Sequence, residues 1–228
     1  MGALDGRTAI VTGASTGIGL VTARALAAEG TRVAVGARRV ELLEREAAAL
    51  PGEGHLAAPL DVTDDASAQA FVAQAAESFG RIDILVNNAG LALGRGSIAE
   101  GSDEDDRVMV EVNVLGLLRM TRLVLRHMED WRGHIVNLGS WAGREWYGGG
   151  GMYVGTKTTV RALTEVMRKD LVGRIRVTTV DPGMVGDTEF SDVRFRGDSD
   201  KKDAVYRGVR YLTPDDVADC ILWSVTRP

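Results

Sequence analysis

Residues 8–19 read TAIVTGASTGIG, from Thr8 to Gly19. Thr8–Thr12 is a short apolar run of the length expected for a buried strand. It runs directly into Gly13, Gly17 and Gly19. Beyond them Ile18, Val21, Ala25 and Leu26 recur near helical spacing as far as Glu29. The stretch therefore reads as strand, tight turn, helix. Glycines in such a turn let the backbone approach a pyrophosphate, and the positive helix N-terminus attracts the anion. The spacing is Gly-x3-Gly-x-Gly, not the common Gly-x-Gly-x2-Gly. An ordinary strand–helix turn would look similar, but its place after the first strand favours dinucleotide binding. Gly13, Ser15, Thr16, Gly17, Ile18 and Gly19 are the candidate contacts.

Outward from this junction, strand-like and helix-like segments alternate. Arg32–Val35 predicts a second strand and Val40–Leu50 a helix stopped by Pro51-Gly52. His55–Leu60 predicts a strand, and Thr63 a cap for a helix over Ala66–Phe79. Ile82–Asn87 is a fourth strand and Asp103 to about Asp130 a long helix. His134–Leu138, a long helix over Gly151–Leu171, and Ile175–Val180 follow. Thr213 caps, with Pro214 in the first turn, a helix over Val217–Ser224. This alternation implies βαβ units, right-handed crossovers and a doubly wound parallel sheet of six to seven strands, covered by helices on both faces in three αβα layers. No linker divides the chain, so residues 1–228 are expected to form a single dinucleotide-binding and catalytic domain. Gly183–Leu212 is polar and without period, which predicts either disorder or a functional lid. Arg194–Lys202 within it reads as solvated surface.

Composition narrows the functional classes. The 228 residues carry a net charge of −5, which argues against a nucleic-acid partner. The single cysteine, Cys220, excludes an intramolecular disulfide and reads as a small buried apolar residue. No cluster suggests a metal site. The N-terminus lacks the basic start and apolar run of a signal peptide, and Met1-Gly2 leads too quickly into a strand to serve as a lipid anchor. No apolar stretch is long enough to cross a membrane, and a cytoplasmic location is the default.

The end of the second strand speaks to cofactor type. A fold that prefers NAD usually places an acid there for the ribose 2′-hydroxyl. This chain has Gly36-Ala37-Arg38-Arg39 and no acid before Glu41. Two guanidiniums suit a 2′-phosphate through charge-assisted bonds, so NADP(H) is expected, although a solvated turn would read alike. Tyr153 and Lys157 lie four residues apart, on one face of the predicted helix. A free tyrosine has a pKa of about 10, and a neighbouring ammonium, joined by the positive charge of an oxidised nicotinamide ring, lowers it towards proton exchange with a substrate oxygen. Ser140 sits just past the fifth strand, on the edge where such sheets hold ligands.

Together these motifs resemble the short-chain dehydrogenase/reductase family. The shared residues are Thr12–Gly19, Asp61-Val62, Asn87-Asn88-Ala89-Gly90, Asn113, Ser140, Tyr153, Lys157 and Pro182-Gly183, in the family's order and spacing. The resemblance implies that Asp61 and Val62 contact adenine and that Asn88, Ala89 and Gly90 line the cofactor and stabilise the central strands. It implies that Asn113 holds a relay water to Lys157, and that Pro182, Gly183, Val185 and Thr188 face the nicotinamide amide. It implies a homodimer or homotetramer through the two long helices. A seventh strand would follow the last helix, and the sequence given ends at Pro228. Asn87–Gly94 and Pro182–Phe195 look like the NADP-dependent serine and 3-hydroxy acid dehydrogenase branch, and Ser140–Arg144 like clavulanate dehydrogenase. Arg144–Tyr147 and Gly148–Gly151 depart from both.

A small hydroxy acid, aldehyde or ketone is the expected substrate. Leu91, Leu93, Arg95, Arg144, Trp146, Met184 and Phe190 are the pocket candidates, with Arg95 or Arg144 available to anchor a carboxylate. A ketone or aldehyde reductase of secondary metabolism is an alternative. A non-catalytic NADP(H) sensor is another, but such a protein would typically have lost Tyr153 or Lys157. Arg38→Asp should move the NADP/NAD preference in kcat/KM towards NAD by about 10- to 100-fold, the worth of a charge-assisted bond. An unmoved ratio would remove Arg38 from the site.

Overall fold

The computed structural model describes residues 2–128 and 133–227. Its strands are β1 (Thr8–Thr12), β2 (Arg32–Ala37), β3 (Leu56–Pro59), β4 (Ile84–Asn87), β5 (Gly133–Leu138) and β6 (Ile175–Val180). They pair in the order β3-β2-β1-β4-β5-β6, and every pairing is parallel. The order reverses between β1 and β4. At such a switch the connections leave on opposite faces, and the carboxyl ends of the two strands open a crevice.

Both faces of the sheet are covered, which is why its strands read as unbroken apolar runs. On one face lie α3 (Asp65–Phe79), α5 (Leu117–Leu125) and α6 (Gly151–Asp170), packed over Ile10, Leu85 and Ile135. On the other lie α1 (Gly17–Ala28), α2 (Val40–Ala47) and α9 (Pro214–Thr226), over Val11, Val33 and Val86. Phe71, Leu26 and Met120 are among the largest fully buried side chains. Each such burial contributes about 1.5–3 kcal/mol relative to exposure. A buried polar chain crosses the apolar layer behind the crevice. Asn87 donates to Thr121 Oγ1 and Asn137 Oδ1, both at 2.9 Å, and Asn137 donates to Thr164 Oγ1 at 3.0 Å. It ties β4 and β5 to α5 and α6.

Several expectations are corrected. Asp64, not Thr63, caps α3, accepting from Ala66 N at 2.8 Å. Thr63 instead donates to Asp61. Cys220 is exposed, because α9 packs through Val217, Ala218, Ile221 and Val225 and Cys220 falls outside that arc. The long helix predicted from Asp103 is broken. α4 (Asp103–Val110) passes through a π-helical turn at Glu111–Gly116 into α5, which ends at Leu125. Asp130 lies outside the described residues. The wider turn seats Gly116 against Val62, where a Cβ would come within 2.7 Å of Val62 Cγ2.

Gly183–Leu212 is neither disordered nor featureless. It holds α7 (Phe190–Arg194) and α8 (Ser199–Tyr206), and its ends meet in a parallel bridge between Val185 and Leu212. Tyr206 Oη donates to Val185 O at 3.0 Å, and Lys202 pairs with Asp192 at 2.8 Å. Helices of five and eight residues carry too few apolar positions to show a period. The segment lies across the glycine-rich turn. Arg39 pairs with Glu189 at 2.6 Å, and Thr16 Oγ1 donates to the same carboxylate at 3.1 Å. Both members of the pair are half exposed, so the clamp contributes at most about 1 kcal/mol. Glu189→Ala should therefore raise amide hydrogen exchange across Thr188–Tyr206 by up to about fivefold, with the sheet amides unchanged. Unaltered exchange there would show that the pair does not hold the segment.

Candidate active site

The crevice begins where β1 ends. Gly13 and Gly17 both adopt positive φ, 66° and 57°, which glycine alone adopts freely. Asn88, just past β4, reaches across to this turn. Its Nδ2 donates to Thr12 O at 2.8 Å and Gly13 O at 3.1 Å, while Thr12 Oγ1 accepts from Ala89 N at 2.9 Å. A Cβ at Gly19 would collide with Asn88 Nδ2 and lie 2.6 Å from Gly13 O. The third glycine is thus required by packing, and the second by backbone conformation. Asn88 spends its amide on the turn rather than on a ligand.

A cavity of about 480 Å³ extends from this turn, within the range of small-molecule and cofactor sites. Its wall includes Gly13, Thr16, Gly17 and Ile18 from the turn and Asn88, Ala89, Gly90 and Leu91 after β4. Pro182, Gly183, Met184, Val185 and Thr188 close it from beyond β6. Ser140, Tyr153 and Lys157 line the same cavity, so sheet edge and helix face converge as their sequence positions predict. Ser140 opens a 3₁₀ turn, and its Oγ accepts Ala142 N–H at 3.1 Å. That leaves the hydroxyl proton available for donation. Lys157 Nζ donates to Leu138 O at 2.8 Å.

Burial moves the two titratable groups in opposite directions. It pushes the Tyr153 phenol up to about 12, against a hydrogen bond with Ser140 and the charge of Arg194. It pushes Lys157 down to about 8, against the attraction of Asp181. In the protein alone the ammonium of Lys157 does not offset this burial. Desolvation of a 92% buried ring dominates, so burial favours the neutral phenol.

Asn113 lies in the π-helical turn, almost wholly buried. Its Oδ1 accepts from Leu91 N at 2.9 Å, and its Nδ2 donates to Leu91 O at 2.8 Å and Thr156 Oγ1 at 3.1 Å. It fixes the strand-end loop beside Gly90 and makes no direct bond to Lys157. Asp61 and Val62 lie away from the cavity wall. Burial raises the Asp61 carboxyl, but bonds from Thr63 and the charges of Arg38 and Arg119 outweigh it and hold it below its usual value. Val62 is buried against Gly116. Ser15 and Arg39 are joined at 3.3 Å at the mouth of the turn.

The substrate-side candidates divide. Leu91, Arg95, Met184 and Phe190 line the cavity. Phe190 meets Tyr153 edge-on at 5.6 Å, and Arg95 lies over the Tyr147 ring at 5.6 Å. Leu93 packs into the small apolar cluster beneath Tyr153 instead. Arg144 turns away to pair with Asp181 at 2.6 Å, a carboxylate whose side chain is only 10% exposed. Trp146 is 74% exposed and outside the wall. The sequence reading missed Glu189 and Arg194. The polar run from Arg194 to Lys202 predicts solvated surface, yet Arg194 is buried and lines the cavity. No local pattern marks it, because α7 is too short to show a period and Val193 beside it is exposed.

Comparison with known proteins agrees with this geometry. Residues 7–198 match the family model described as short chain dehydrogenase. The chain is 42% identical to an NADP-dependent 3-hydroxy acid dehydrogenase of Schizosaccharomyces pombe, over all of this chain and 90% of that protein. It is 40% identical to a serine 3-dehydrogenase of Agrobacterium fabrum, over 97% of this chain and 88% of that one. A solved structure of the closed form of serine dehydrogenase complexed with NADP+ superposes with a TM-score of 0.93 at 42% identity, covering 97% of this chain and 90% of that chain. With the crossover sheet, the glycine-rich turn and Ser140, Tyr153 and Lys157 in one cavity, the match over most of the chain shows that this protein is an oxidoreductase of the short chain dehydrogenase family.

Proposed function

We propose that residues 1–228 act as one catalytic domain that interconverts a small 3-hydroxy acid and its carbonyl partner with NADP(H), using Tyr153 as the acid/base. The observation that carries this reading is the shared cavity: Tyr153 and Ser140 stand in the same wall as the turn of Gly13 and Gly17. The printed activities of the relatives, on 3-hydroxy acids and serine, support the substrate class.

The turn fits a dinucleotide, because Gly13 and Gly17 present bare backbone at positive φ to the cavity and the N-terminus of α1 opens towards it. NADPH, when bound, supplies the hydride. In carbonyl reduction Tyr153 donates its phenol proton to the substrate oxygen. Its raised pKa suits that role, since the proton is present throughout neutral pH. Ser140 Oγ–H orients the same oxygen. Lys157 is mostly protonated at pH 7; one proton is held by Leu138 O, and the others are available to a ribose hydroxyl and to the phenol. Asn113 acts by seating Leu91 and Gly90 and by any water it shares with Lys157. In alcohol oxidation the same residues work in reverse, with Tyr153 taking the proton as a base. Oxidation then needs positive charge near the ring, because burial opposes the phenolate.

Cofactor preference rests on the arginines after β2. Arg39 is engaged by Glu189, so the 2′-phosphate falls first to Arg38, and Arg39 joins when Glu189 releases it. Pairing of α4–α5 and α6 between copies of the chain gives the homodimer or homotetramer, through exposed Val108, Leu115 and Val166. No described helix is long and apolar enough to cross a membrane.

Tyr153→Phe should lower kcat by about 10²- to 10⁴-fold while NADPH binding, read by cofactor fluorescence, is unchanged. Full turnover in that variant would refute the proton-transfer role. A panel of serine, allo-threonine, other 3-hydroxy acids, aldehydes and ketones, followed at the nicotinamide absorbance, fixes the substrate class.

A further inference from the structure

We propose that Arg194, on α7 of the segment above the cavity, binds the carboxylate of the substrate and so selects acids over neutral alcohols. This rests on the hydroxy-acid reading above and extends it to one residue. The two arginines expected to do this are otherwise placed: Arg144 is taken by Asp181, and Arg95 is exposed and stacked on Tyr147.

Arg194 is 8% exposed. Its Nε donates to Gly94 O at 2.9 Å and its Nη1 to Tyr147 Oη at 3.3 Å. Its Nη2 is shielded from solvent and has no hydrogen-bond partner among the described residues. The guanidinium carbon lies 5.4 Å from the centre of the Tyr153 ring and 5.9 Å from that of Phe195. Contact with aromatic faces offsets part of the cost of desolvating a cation. It does not replace a counter-ion, and among the described residues no carboxylate pairs with Arg194. Glu189, the acid in the same wall, is held by Arg39 and Thr16.

A buried cation with a spare donor is costly unless a ligand completes it. An anion with two coplanar oxygens matches the guanidinium fork. Because the guanidinium stands beside Tyr153, a bound carboxylate is held near the atom that exchanges the proton. A 3-hydroxy acid carries both groups, a carboxylate for the guanidinium and a hydroxyl for the phenol. Arg194 also links α7 to Gly94 and Tyr147, so the same cation joins substrate charge to the seating of the segment.

The test compares kcat/KM for a 3-hydroxy acid with that for its methyl ester, in the full chain with NADP+. The wild-type protein should prefer the acid. In Arg194→Gln the acid/ester ratio should fall by about 10- to 100-fold, the worth of a charge-assisted bond. A role confined to stability or to holding the segment would lower both substrates alike, and an unchanged ratio overturns the assignment. NADPH fluorescence verifies that the variant is folded. Should it not fold, the ratio is read in Arg194→Lys, where losing the fork should lower it severalfold and an unchanged ratio again overturns it. A wild-type protein that turns over neutral alcohols and shows no preference for the acid would instead remove the hydroxy-acid reading itself. Preference for the acid with an Arg194-independent ratio removes only Arg194.

Discussion

The site depends on one close approach, where the turn after β1 meets the loop after β4. Asn88 spans it with two donated bonds to Thr12 O and Gly13 O, and Thr12 Oγ1 returns the favour by accepting from the loop backbone. The approach is so tight that a Cβ at Gly13 would lie 2.9 Å from Ala89 Cα. Everything the cavity offers to a dinucleotide follows from it. The two strand ends are held at the point where the sheet order reverses, and the backbone of the turn stays open because side chains are excluded there. Asn113 repeats the device one layer back, securing Leu91 by both of its backbone groups.

Around that frame, desolvation sets the chemistry more strongly than pairwise charge. Tyr153 and Lys157 share a helix face and a cavity, yet burial moves one up to about 12 and the other down to about 8. Both shifts favour the neutral form, as a low-dielectric site must. A site poised this way keeps the phenol protonated, and the phenolate gains ground only when positive charge arrives. The segment above the cavity contributes charges of its own. Glu189 is balanced by Arg39 on the surface side, and Arg194 is buried in the cavity wall with no counter-ion among the described residues.

How much of this was legible depended on the range of the interaction involved. The strand–turn–helix at 8–19, the alternation beyond it and the placement of Ser140, Tyr153 and Lys157 were all carried by local pattern. Period, glycine spacing and a four-residue separation on a helix are properties of neighbouring residues, so the sequence by itself determined the doubly wound sheet and the edge where chemistry occurs. Partners distant in the chain were decided only by tertiary structure. Arg144 was lost to Asp181, 37 residues away, and Cys220 was turned outward by the packing arc of α9. Asn88 proved to serve the turn, the helix from Asp103 opened into a π-helical turn over Val62, and Arg194 was buried by a short helix without visible period. Each outcome turns on which side chain wins a hydrogen bond, a counter-ion or a place in the core. That competition is settled only when distant segments meet, because its energies are those of desolvation and close contact.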